Sequence, residues 1–587
     1  MALSGNAFDF KLFGRLLLFT KPYRFIFWFV ALSAILVSGL SLLQPILLEY
    51  IIDNSIVPKD YENFVYLVSL MGAFLVLEVI FQFSFIYFSN WLGLSVVRDI
   101  RVQLFDKILY FKMRYFDKSS VGRLTTRAVN DIETISSIFG EGLFTIASDL
   151  LKMFVILAFM FYRSWELSLI VLAVFPFILY ATRVFQKAMK KAFEDVRNQV
   201  ANLNTFIQER LTGMKIVQIF TREITEYKNF EEINNKHKNA WIKTVWYNSI
   251  FFAVTEMTAS ITIGLIMWYG GLKVIAGSTI TLGVIVAFIR LSQMLFRPLN
   301  QIADKFNTLQ MGMVAANRIF EILDTEASIE DKGTQELKNI KGHIVFHNVH
   351  FGYDEKEEVI KGISFEVQPN QTIAIVGATG AGKSTIINLL SRFYEIQKGK
   401  ITIDHINIKN VPLKQLRSQI SVVLQDVFLF ADTILGNITL NNPEIAEADV
   451  IQAAKDIGIH KFIMTLPDGY HFNVKERGGM LSSGQRQLIA FLRAYVSNPG
   501  ILVLDEATSS VDSYSEQLLQ KATLKVTEGR TSIVIAHRLA TIKKADTILV
   551  MDEGKIVEKG AHKDLLKIEN GYYRNLYEVQ FMAEEIL

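Results

Sequence analysis

Long apolar runs fill roughly the first 300 residues of the chain, whereas the rest has the mixed polar and apolar pattern of a soluble domain. A helix that crosses a bilayer needs about 20 mostly apolar residues. Six stretches approach or exceed this length, so the pattern predicts six membrane-spanning helices. They are residues 25–52, 64–94, 143–162, 167–184, 244–274 and 280–296.

The stretch before the first predicted span is amphipathic. Residues 8–23 alternate large apolar side chains with Lys11, Arg15 and Lys21. A basic, amphipathic helix of this kind is typical of segments that lie along a membrane surface. The sequence therefore predicts an interfacial helix here.

The distribution of charge predicts the orientation in the membrane. Residues 98–127 and 183–243 are rich in Lys and Arg, whereas the short segment 53–63 holds three acidic residues against one lysine. Because basic loops stay on the cytoplasmic side, both long segments and both termini are expected there. At 1.5 Å per residue, helical segments of this length would extend some tens of ångströms below the bilayer.

A few ionisable residues fall within or beside the predicted spans. Such groups are costly in lipid and often mark a substrate path. Helix ends, or pairs packed between helices, explain them equally well, and Asp149 with Lys152 has the i, i+3 spacing of a self-neutralising pair. Both readings stay open for Glu78, Asp149, Lys152, Glu256 and Arg290.

Composition narrows the class further. The chain has 587 residues, which predicts at least two domains, and 51% of them are hydrophobic. It has no cysteine, which excludes disulfides, thiolate metal sites and a thiol nucleophile. A net charge of +3 gives no reason to expect nucleic acid as a partner. Residues 1–11 show neither a secretory signal nor a transit-peptide pattern.

A polar stretch separates the two halves. Residues 324–341 are predicted as a linker between a membrane domain, residues 1–323, and a second domain, residues 342–587. Strand-like runs follow the linker at residues 343–346, 362–367 and 372–376.

The third of these runs leads into a glycine-rich motif and then a helical stretch. The motif fits G-x-x-x-x-G-K-[ST], in which backbone N–H groups wrap phosphates. Lys383 would reach the β- and γ-phosphates, and the hydroxyl of Ser384 would bind Mg²⁺. The predicted phosphate-binding residues are Gly377, Ala378, Thr379, Gly380, Ala381, Gly382, Lys383, Ser384 and Thr385.

A second apolar run, residues 501–506, ends in two carboxylates. Asp505 can hold Mg²⁺ through water, and Glu506 can polarise an attacking water. Phosphoryl transfer depends mainly on positioning and on charge neutralisation, so these are the expected parts. Following a phosphate-binding motif, the pair predicts nucleoside-triphosphate hydrolysis.

Further motifs occur in a characteristic order. Residues 481–485 read Leu-Ser-Ser-Gly-Gln, and residues 509–512 read Ser-Ser-Val-Asp. With Tyr353, Gln425 and His537, this set resembles the ATP-binding cassette (ABC) family. In the first half, residues 115–131 and 208–220 are similar to the two cytoplasmic coupling regions of ABC exporters. The whole chain resembles bacterial half-transporters of the multidrug and lipid-exporting type.

The resemblance implies a fold and a reaction. The fold is a type I exporter-like membrane domain with six helices, followed by an α/β P-loop NTPase domain. The activity is ATP-driven export of amphipathic or hydrophobic drugs or lipids by alternating access. The expected location is the bacterial cytoplasmic membrane. An ATP-gated or regulatory membrane protein on the same scaffold is the alternative.

It also implies roles for individual residues. Tyr353 stacks on adenine, Gln425 contacts Mg²⁺ and takes part in catalysis, and His537 acts with Glu506. A second half-transporter closes each ATP with its own copy of the signature segment. The residues expected to act in trans in this way are Ser482, Ser483, Gly484, Gln485 and Asp512.

Two positions depart from the family pattern. Ser483 replaces the first signature glycine, and Lys475 stands where exporters usually have glycine. Some half-transporters with an altered signature work as heterodimers. A homodimer and a heterodimer are therefore both open on the sequence.

Overall fold

The structure of the chain is a computed structural model, and it describes residues 9–326, 329, 331–338, 340–354, 357–505, 513–536 and 539–580. The chain divides into two compact units. Met1–Leu109 with Ser120–Glu326 form one, here called the helical unit, and Tyr110–Ser119 with Ala327–Leu587 form the other, the α/β unit. The predicted domain and linker bounds stay a prediction.

The helical unit is built from long helices joined by short turns. Its helices are α1 (Phe10–Leu18), α2 (Arg24–Ile51), α3 (Tyr61–Leu109), α5 (Val121–Thr126), α6 (Ile132–Ser137), α7 (Phe144–Arg163), α8 (Trp165–Thr212), α9 (Met214–Ile219), α10 (Glu223–Ile275) and α11 (Leu282–Leu323). The short helix α4 (Met113–Lys118) lies between α3 and α5 and belongs to the α/β unit.

Five of the predicted spans lie in helical segments that are long and apolar enough to cross a membrane. These segments are Lys21–Ile56, Tyr61–Leu109, Val121–Arg163, Trp165–Thr212 and Glu223–Ile275. The sixth predicted span corresponds to a shorter apolar stretch, Leu282–Phe296, at the start of α11. It is short because Thr281 caps the helix at one end and the polar Arg297 follows the stretch at the other.

The predicted extension of the spans into long helices is confirmed. Helix α3 has 49 residues and α10 has 53. At 1.5 Å per residue, each is more than about 70 Å long, roughly twice the thickness of a bilayer core. The short helix α9 joins α8 to α10 at the far end of these extensions.

Helix α1 is attached to the end of α11. The Arg15 guanidinium donates to both carboxylate oxygens of Asp324, at 2.7 and 2.8 Å, and lies 4.3 Å from the ring centroid of Phe320. These hydrogen bonds hold the pKa of Asp324 below its usual value. A helix is thus present in the predicted amphipathic stretch and contacts the end of α11, whereas its position along a membrane surface stays a prediction.

The described part of the helical unit contains three π-helical turns: the first ends α2, and the other two interrupt the helical segment Val121–Arg163. They are Ile52–Ile56, Arg127–Asp131 and Ile138–Leu143. A π turn bonds each N–H to the carbonyl five residues back, instead of four, and such turns often lie at functional positions. The second and third flank α6, between the α/β unit's α4 segment and the apolar helix α7.

The α/β unit contains two sheets. Strands β2, β1, β4 and β5 form an antiparallel sheet in that order, and the other six form a mostly parallel sheet in the order β10-β9-β3-β8-β7-β6. The strands are β1 (Ile344–Phe351), β2 (Ile360–Val367), β3 (Thr372–Gly377), β4 (Lys398–Ile403), β5 (Ile406–Asn407), β6 (Ile420–Val423), β7 (Ile501–Asp505), β8 (Thr531–Ile535), β9 (Thr547–Asp552) and β10 (Lys555–Gly560).

Helices cover the parallel sheet, as its apolar strands require. Every residue of β7 and β8 is buried, which is typical of parallel strands with both faces covered. Besides α4, the described helices of the α/β unit are α12 (Lys383–Leu390), α13 (Leu413–Ser418), α14 (Ile434–Thr439), α15 (Glu447–Asp456), α16 (His460–Met464), α17 (Ser483–Val496), α18 (Ser513–Thr527), α19 (Leu539–Lys544), α20 (His562–Leu565) and α21 (Tyr572–Gln580). The α/β class predicted for this half is confirmed.

Candidate nucleotide-binding site

The site lies at the carboxyl edge of the parallel sheet. Strands β3, β8, β7 and β6 are neighbours and run in the same direction. The glycine-rich loop follows β3, Gln425 follows β6 and Asp505 ends β7. Ligands of open α/β sheets bind in the crevice at this edge, so the fold brings three separate motifs to one place.

Two glycines give the loop its shape. Gly377 has a φ of 150°, and a Cβ there would lie 2.1 Å from the carbonyl oxygen of Met551. Gly382 has a φ of 95° and caps the start of α12 in the left-handed region. A side chain at either position would be strained or would clash, which explains the glycines in the motif.

Lys383 lies in the cradle that the loop forms. Its ammonium group donates to the carbonyl oxygens of Gly377 and Ala378, at 2.7 and 2.8 Å. The residue is only 8% exposed, and burial lowers the pKa of its amine. A phosphate in the cradle would offer a charged acceptor in place of two neutral ones, which favours the ammonium form.

Two of the three residues predicted to hold Mg²⁺ are in contact, and the third, Gln425, lines the same cavity. The Ser384 hydroxyl donates to Oδ2 of Asp505 over 3.1 Å, and the Asp505 side chain is buried. Mg²⁺ prefers oxygen ligands and usually combines one or two carboxylates with phosphate oxygens and water. A hydroxyl and a carboxylate this close, beside a phosphate cradle, fit such an ion.

A cavity of about 390 Å³ joins these residues. Most of the residues predicted to bind the nucleotide line it, including Gln425. Ala378 and Ala381 do not: the carbonyl of Ala378 accepts a hydrogen bond from Lys383, and Ala381 packs into the hydrophobic core. The cavity is lined by Tyr353, Val359, Thr379, Gly380, Gly382, Lys383, Ser384, Thr385, Gln425, Asp505 and Ile535.

Two lining residues were missed by the sequence reasoning. Val359 precedes β2 and Ile535 ends β8, and both add apolar surface to the cavity. Neither belongs to a motif. The position of Ile535, two residues before His537 at the end of a buried strand, was the only signal available.

The signature segment begins helix α17 but does not reach this cavity. Ser482 is the N-cap: its hydroxyl accepts from the Gln485 N–H, and the Gln485 side chain accepts from the Ser482 N–H. This capping box fixes the start of the helix. None of residues 482–485, all of them described, lines the cavity around Lys383.

Three predicted functional residues lie outside the described part of the chain. They are Glu506, His537 and Asp512. Their roles stay predictions. Asp505, directly before Glu506, ends β7 at the cavity's edge. Ala536, directly before His537, follows the neighbouring parallel strand β8.

Lys475, which the sequence comparison with the family pattern predicts at a glycine position, has an unusual backbone conformation. Lys475 has a φ of 59° and a ψ of −171°, a combination found almost only at glycine, and the segment leads directly into the signature. The side chain is exposed, and its N–H bonds to Oδ1 of Asn473. This lysine therefore carries backbone strain that the more usual glycine would not.

We expect Lys475→Gly to stabilise the α/β unit by about 1 kcal/mol, since a strain of roughly 1–3 kcal/mol is relieved and part is offset by the extra freedom of unfolded glycine. The thermal unfolding midpoint of the full chain in detergent should rise by about 3 °C. Lys475→Ala is the matched control, because it removes the same charge but keeps the Cβ. An equal rise for alanine would show that charge, and not strain, is responsible.

The ionisable residues of the spans have different surroundings. The Asp149 carboxylate contacts the ammonium group of Lys305 on α11, and both side chains are about one-fifth exposed. Glu256 and Arg290 are exposed on the single chain, and Glu78 is half-buried. Asp149 thus forms a pair between helices, and a substrate-path role for the other residues stays a prediction.

Together, the glycine-rich cradle, its lysine and the paired hydroxyl and carboxylate define a nucleoside-triphosphate hydrolase carried on a membrane-spanning chain. Two family models match the sequence: the ABC transporter transmembrane region at residues 27–299, and the ABC transporter family at residues 360–509. The chain belongs to the ABC transporter family and is an integral membrane half-transporter that binds and hydrolyses ATP.

Similar proteins cover nearly the whole chain. An uncharacterized ABC transporter ATP-binding protein of Bacillus subtilis is 36% identical over 98% of this chain and 95% of its own length. A putative multidrug export ATP-binding/permease protein of the same organism is 33% identical over 96% and 99%. An ATP-dependent lipid A-core flippase of Thiobacillus denitrificans is 34% identical over 97% and 98%.

Proposed function

We propose that the chain is an ATP-driven exporter of amphipathic or hydrophobic compounds, either drugs or lipids. The observation that carries the proposal is the contact of Ser384 with Asp505 beside Lys383, in a chain with several apolar helices. Relatives that match nearly the full chain are described as a putative multidrug export protein and a lipid A-core flippase. Both descriptions fit an amphipathic cargo.

The proposed chemistry is attack of water on the γ-phosphate, which releases ADP and phosphate. Ser384, Asp505 and Gln425 would hold Mg²⁺, which neutralises charge on the phosphates. Lys383 binds the β- and γ-phosphate oxygens, and Glu506 orients the water and takes up its proton. His537 would contact the γ-phosphate. Little else is needed, because such reactions depend mainly on positioning and electrostatics.

A second chain is proposed to complete each site. The start of α17 presents backbone N–H groups and the positive end of a helix dipole, which suit a γ-phosphate. Residues 482–485 do not line their own chain's cavity, which supports a role for this segment at the cavity of a partner. Asp512 would contribute beside them.

We propose that the partner is a second copy of this chain. Ser483 is the first residue of α17 and is not among the residues with positive φ, so serine fits there without the strain seen at Lys475. Its hydroxyl and N–H can serve the same phosphate. The altered signature therefore gives no structural reason for an unlike partner.

ATP would close the paired α/β units, and hydrolysis would release them. Such a cycle biases a two-state equilibrium between inward-facing and outward-facing forms of the spans. Helix α9, at the tip of the α8–α10 extension, exposes Ile216 and Ile219, and Phe220 directly after the helix is exposed as well. An exposed apolar tip of this kind supports contact with a second chain during the cycle.

The proposed location is the bacterial cytoplasmic membrane, with both termini and the α/β unit in the cytoplasm. The basic segments 98–127 and 183–243 support this orientation.

Reconstitution of the purified chain in liposomes tests the proposal. ATP and Mg²⁺ are added outside the liposomes, so only chains whose α/β unit lies on the outside can use them. These chains should move the dye Hoechst 33342 or a fluorescent phosphatidylethanolamine into the liposomes, and their ATPase activity should rise several-fold with the transported probe. Lys383→Met liposomes are the matched control. ATP-dependent ion conductance without movement of either probe would favour the ATP-gated alternative over an exporter.

A further inference from the structure

The side chain of Tyr353, at one end of the nucleotide cavity, is held at two places. Its ring lies edge-to-face against Phe351 at 5.0 Å and against Tyr394 at 5.1 Å between centroids. The hydroxyl of Tyr394 donates to Asp117, so Tyr394 contributes its ring alone to this cluster. Neighbouring rings thus hold the body of the Tyr353 side chain, and other groups hold its hydroxyl.

The hydroxyl of Tyr353 is bonded to helix α12. It accepts a hydrogen bond of 3.2 Å from the side-chain amide of Asn388, and it lies 3.3 Å from Oγ1 of Thr385. A tyrosine hydroxyl can accept and donate at the same time, so both bonds can form together. They fix the tip of the Tyr353 side chain against the helix.

Asn388 acts from outside the cavity. Thr385 and Asn388 are three positions apart on α12 and therefore lie on one side of the helix. Thr385 lines the cavity with Tyr353, whereas Asn388 does not line it and is half-buried. An effect of Asn388 on a bound nucleotide would therefore pass through Tyr353.

We propose that Asn388 is a positioning residue for the nucleotide base. Its amide holds the Tyr353 ring in the orientation that receives adenine, so the ring is already ordered when ATP binds. A group that is ordered in advance loses less freedom on binding, which raises the affinity. The inference rests on the proposed function and on the predicted stacking of Tyr353 on adenine, and it adds a residue that belongs to none of the sequence motifs.

The place of Tyr353 in the fold explains why one amide is important. Tyr353 follows β1 by two residues and belongs to neither a strand nor a helix. Helix α12, in contrast, begins at Lys383 and carries part of the phosphate cradle. Because ribose joins the base to the phosphates, the two binding surfaces must keep a suitable distance. A hydrogen bond from α12 to Tyr353 connects these surfaces directly, as supporting residues of a binding site do.

Two ligands separate the contribution of the base from that of the phosphates. The non-hydrolysable ATP analogue AMP-PNP has both, whereas sodium tripolyphosphate has phosphates only. The Kd of each, with Mg²⁺, is measured on the full chain in nanodiscs by displacement of a fluorescent ATP analogue, corrected for the affinity of each variant for that analogue. Asn388→Ala should raise the Kd of AMP-PNP about 5-fold, the usual effect of one hydrogen bond. The Kd of tripolyphosphate should stay within about 2-fold.

Tyr353→Phe keeps the ring and removes the hydroxyl. It should raise the Kd of AMP-PNP at least as much as Asn388→Ala does. Adding Asn388→Ala to Tyr353→Phe should then change the Kd less than about 2-fold, because the amide has already lost its partner. Asn575→Ala is the matched control, since it makes the same exchange at an exposed position of a helix, α21. It should leave both Kd values within about 2-fold.

ATP hydrolysis gives a second readout. In Asn388→Ala the KM for ATP should rise about 5-fold and kcat should stay within about 2-fold, because the base contributes equally before and during the reaction. A residue needed only to keep the α/β unit folded would lower the thermal unfolding midpoint and would weaken both ligands alike.

An unchanged Kd of AMP-PNP in Asn388→Ala would overturn the inference, as would an equal loss for tripolyphosphate or additive effects in the double variant. Tripolyphosphate that binds the parent chain as tightly as AMP-PNP would also overturn it, because the base would then contribute nothing. Unfolding midpoints equal to that of the parent establish that the variants are folded. The proposed export function fails on a different result, the absence of probe transport by the parent chain, so the two failures are distinguishable.

Discussion

Lys383→Met should lower the ATPase activity of the full chain at least about 100-fold, the usual cost of losing one preorganised charge-stabilising donor from a phosphoryl- or acyl-transfer site. Lys383 is the buried cation in the cradle, where its ammonium group already faces two carbonyl oxygens. Methionine keeps much of the length and apolar volume but cannot donate. The phosphates would then lose their charged partner without a large change in packing.

Phosphate release by the purified chain in nanodiscs, with ATP and Mg²⁺ in excess, is the direct measurement. Lys398→Met is the matched control, because Lys398 is an exposed lysine at the start of β4. It should leave the rate within about 2-fold, as surface substitutions usually do. Undiminished hydrolysis by Lys383→Met would contradict the assignment of the cradle.

Ser483→Asp should also reduce ATPase activity about 100-fold, because like charges brought together in an interface cost several kcal/mol. An acidic residue suits the first turn of a helix, so α17 itself should remain folded. The defect would arise only where the start of α17 meets a γ-phosphate. Ser483→Gly is the control and should keep the activity of the parent chain.

Mixed dimers then decide whose phosphate α17 meets. Two differently tagged chains are co-expressed and purified through both tags, one with Lys383→Met and the other with Ser483→Asp. If α17 acts in trans, one of two sites is intact and about half the activity returns. In the control dimer, one parent chain is paired with a chain that carries both Lys383→Met and Ser483→Asp. The dimer has the same two changes, but each of its sites then contains one of them, so it should be inactive. The reverse result would place both parts of each site in one chain.

The purified parent chain tests the identity of the partner. A homogeneous dimer of the purified chain with full ATPase activity would exclude an obligate unlike partner. The sequence left that question open, because Ser483 departs from the usual glycine. The backbone at Ser483 now supports a like partner, whereas the backbone at Lys475 shows where a glycine replacement does cause strain.

Local motifs were predictable from the sequence, and contacts between distant segments were not. The loop from Gly377 to Ser384 lies within one strand–turn–helix unit, so spacing alone placed it correctly. Asp505 was placed because apolar strands of a parallel sheet end at one edge. Gln425 and Tyr353 came only from their order in the family resemblance.

Long-range pairs depend on tertiary packing that no spacing encodes. Tyr394 and Asp117 are 277 positions apart, and Lys305 and Asp149 are 156 apart. The i, i+3 rule predicted Lys152 as a neighbour of Asp149, and that pairing stays a prediction. The rule could not predict Lys305, because it describes residues of one helix only. The sixth span was also predicted longer than the apolar stretch of α11, because Ile280 and Thr281 precede the helix.

Two of the π turns in the helical unit, Arg127–Asp131 and Ile138–Leu143, have an evolutionary consequence, because helix flanks each of them on both sides. In an α-helix each residue advances the side chains by 100°, so gaining or losing one residue turns everything beyond it to a different face. A π turn already accommodates one extra residue while the flanking helices keep their facing. These two turns are therefore places where the helical segment Val121–Arg163 can change length by one residue without exposing its buried faces.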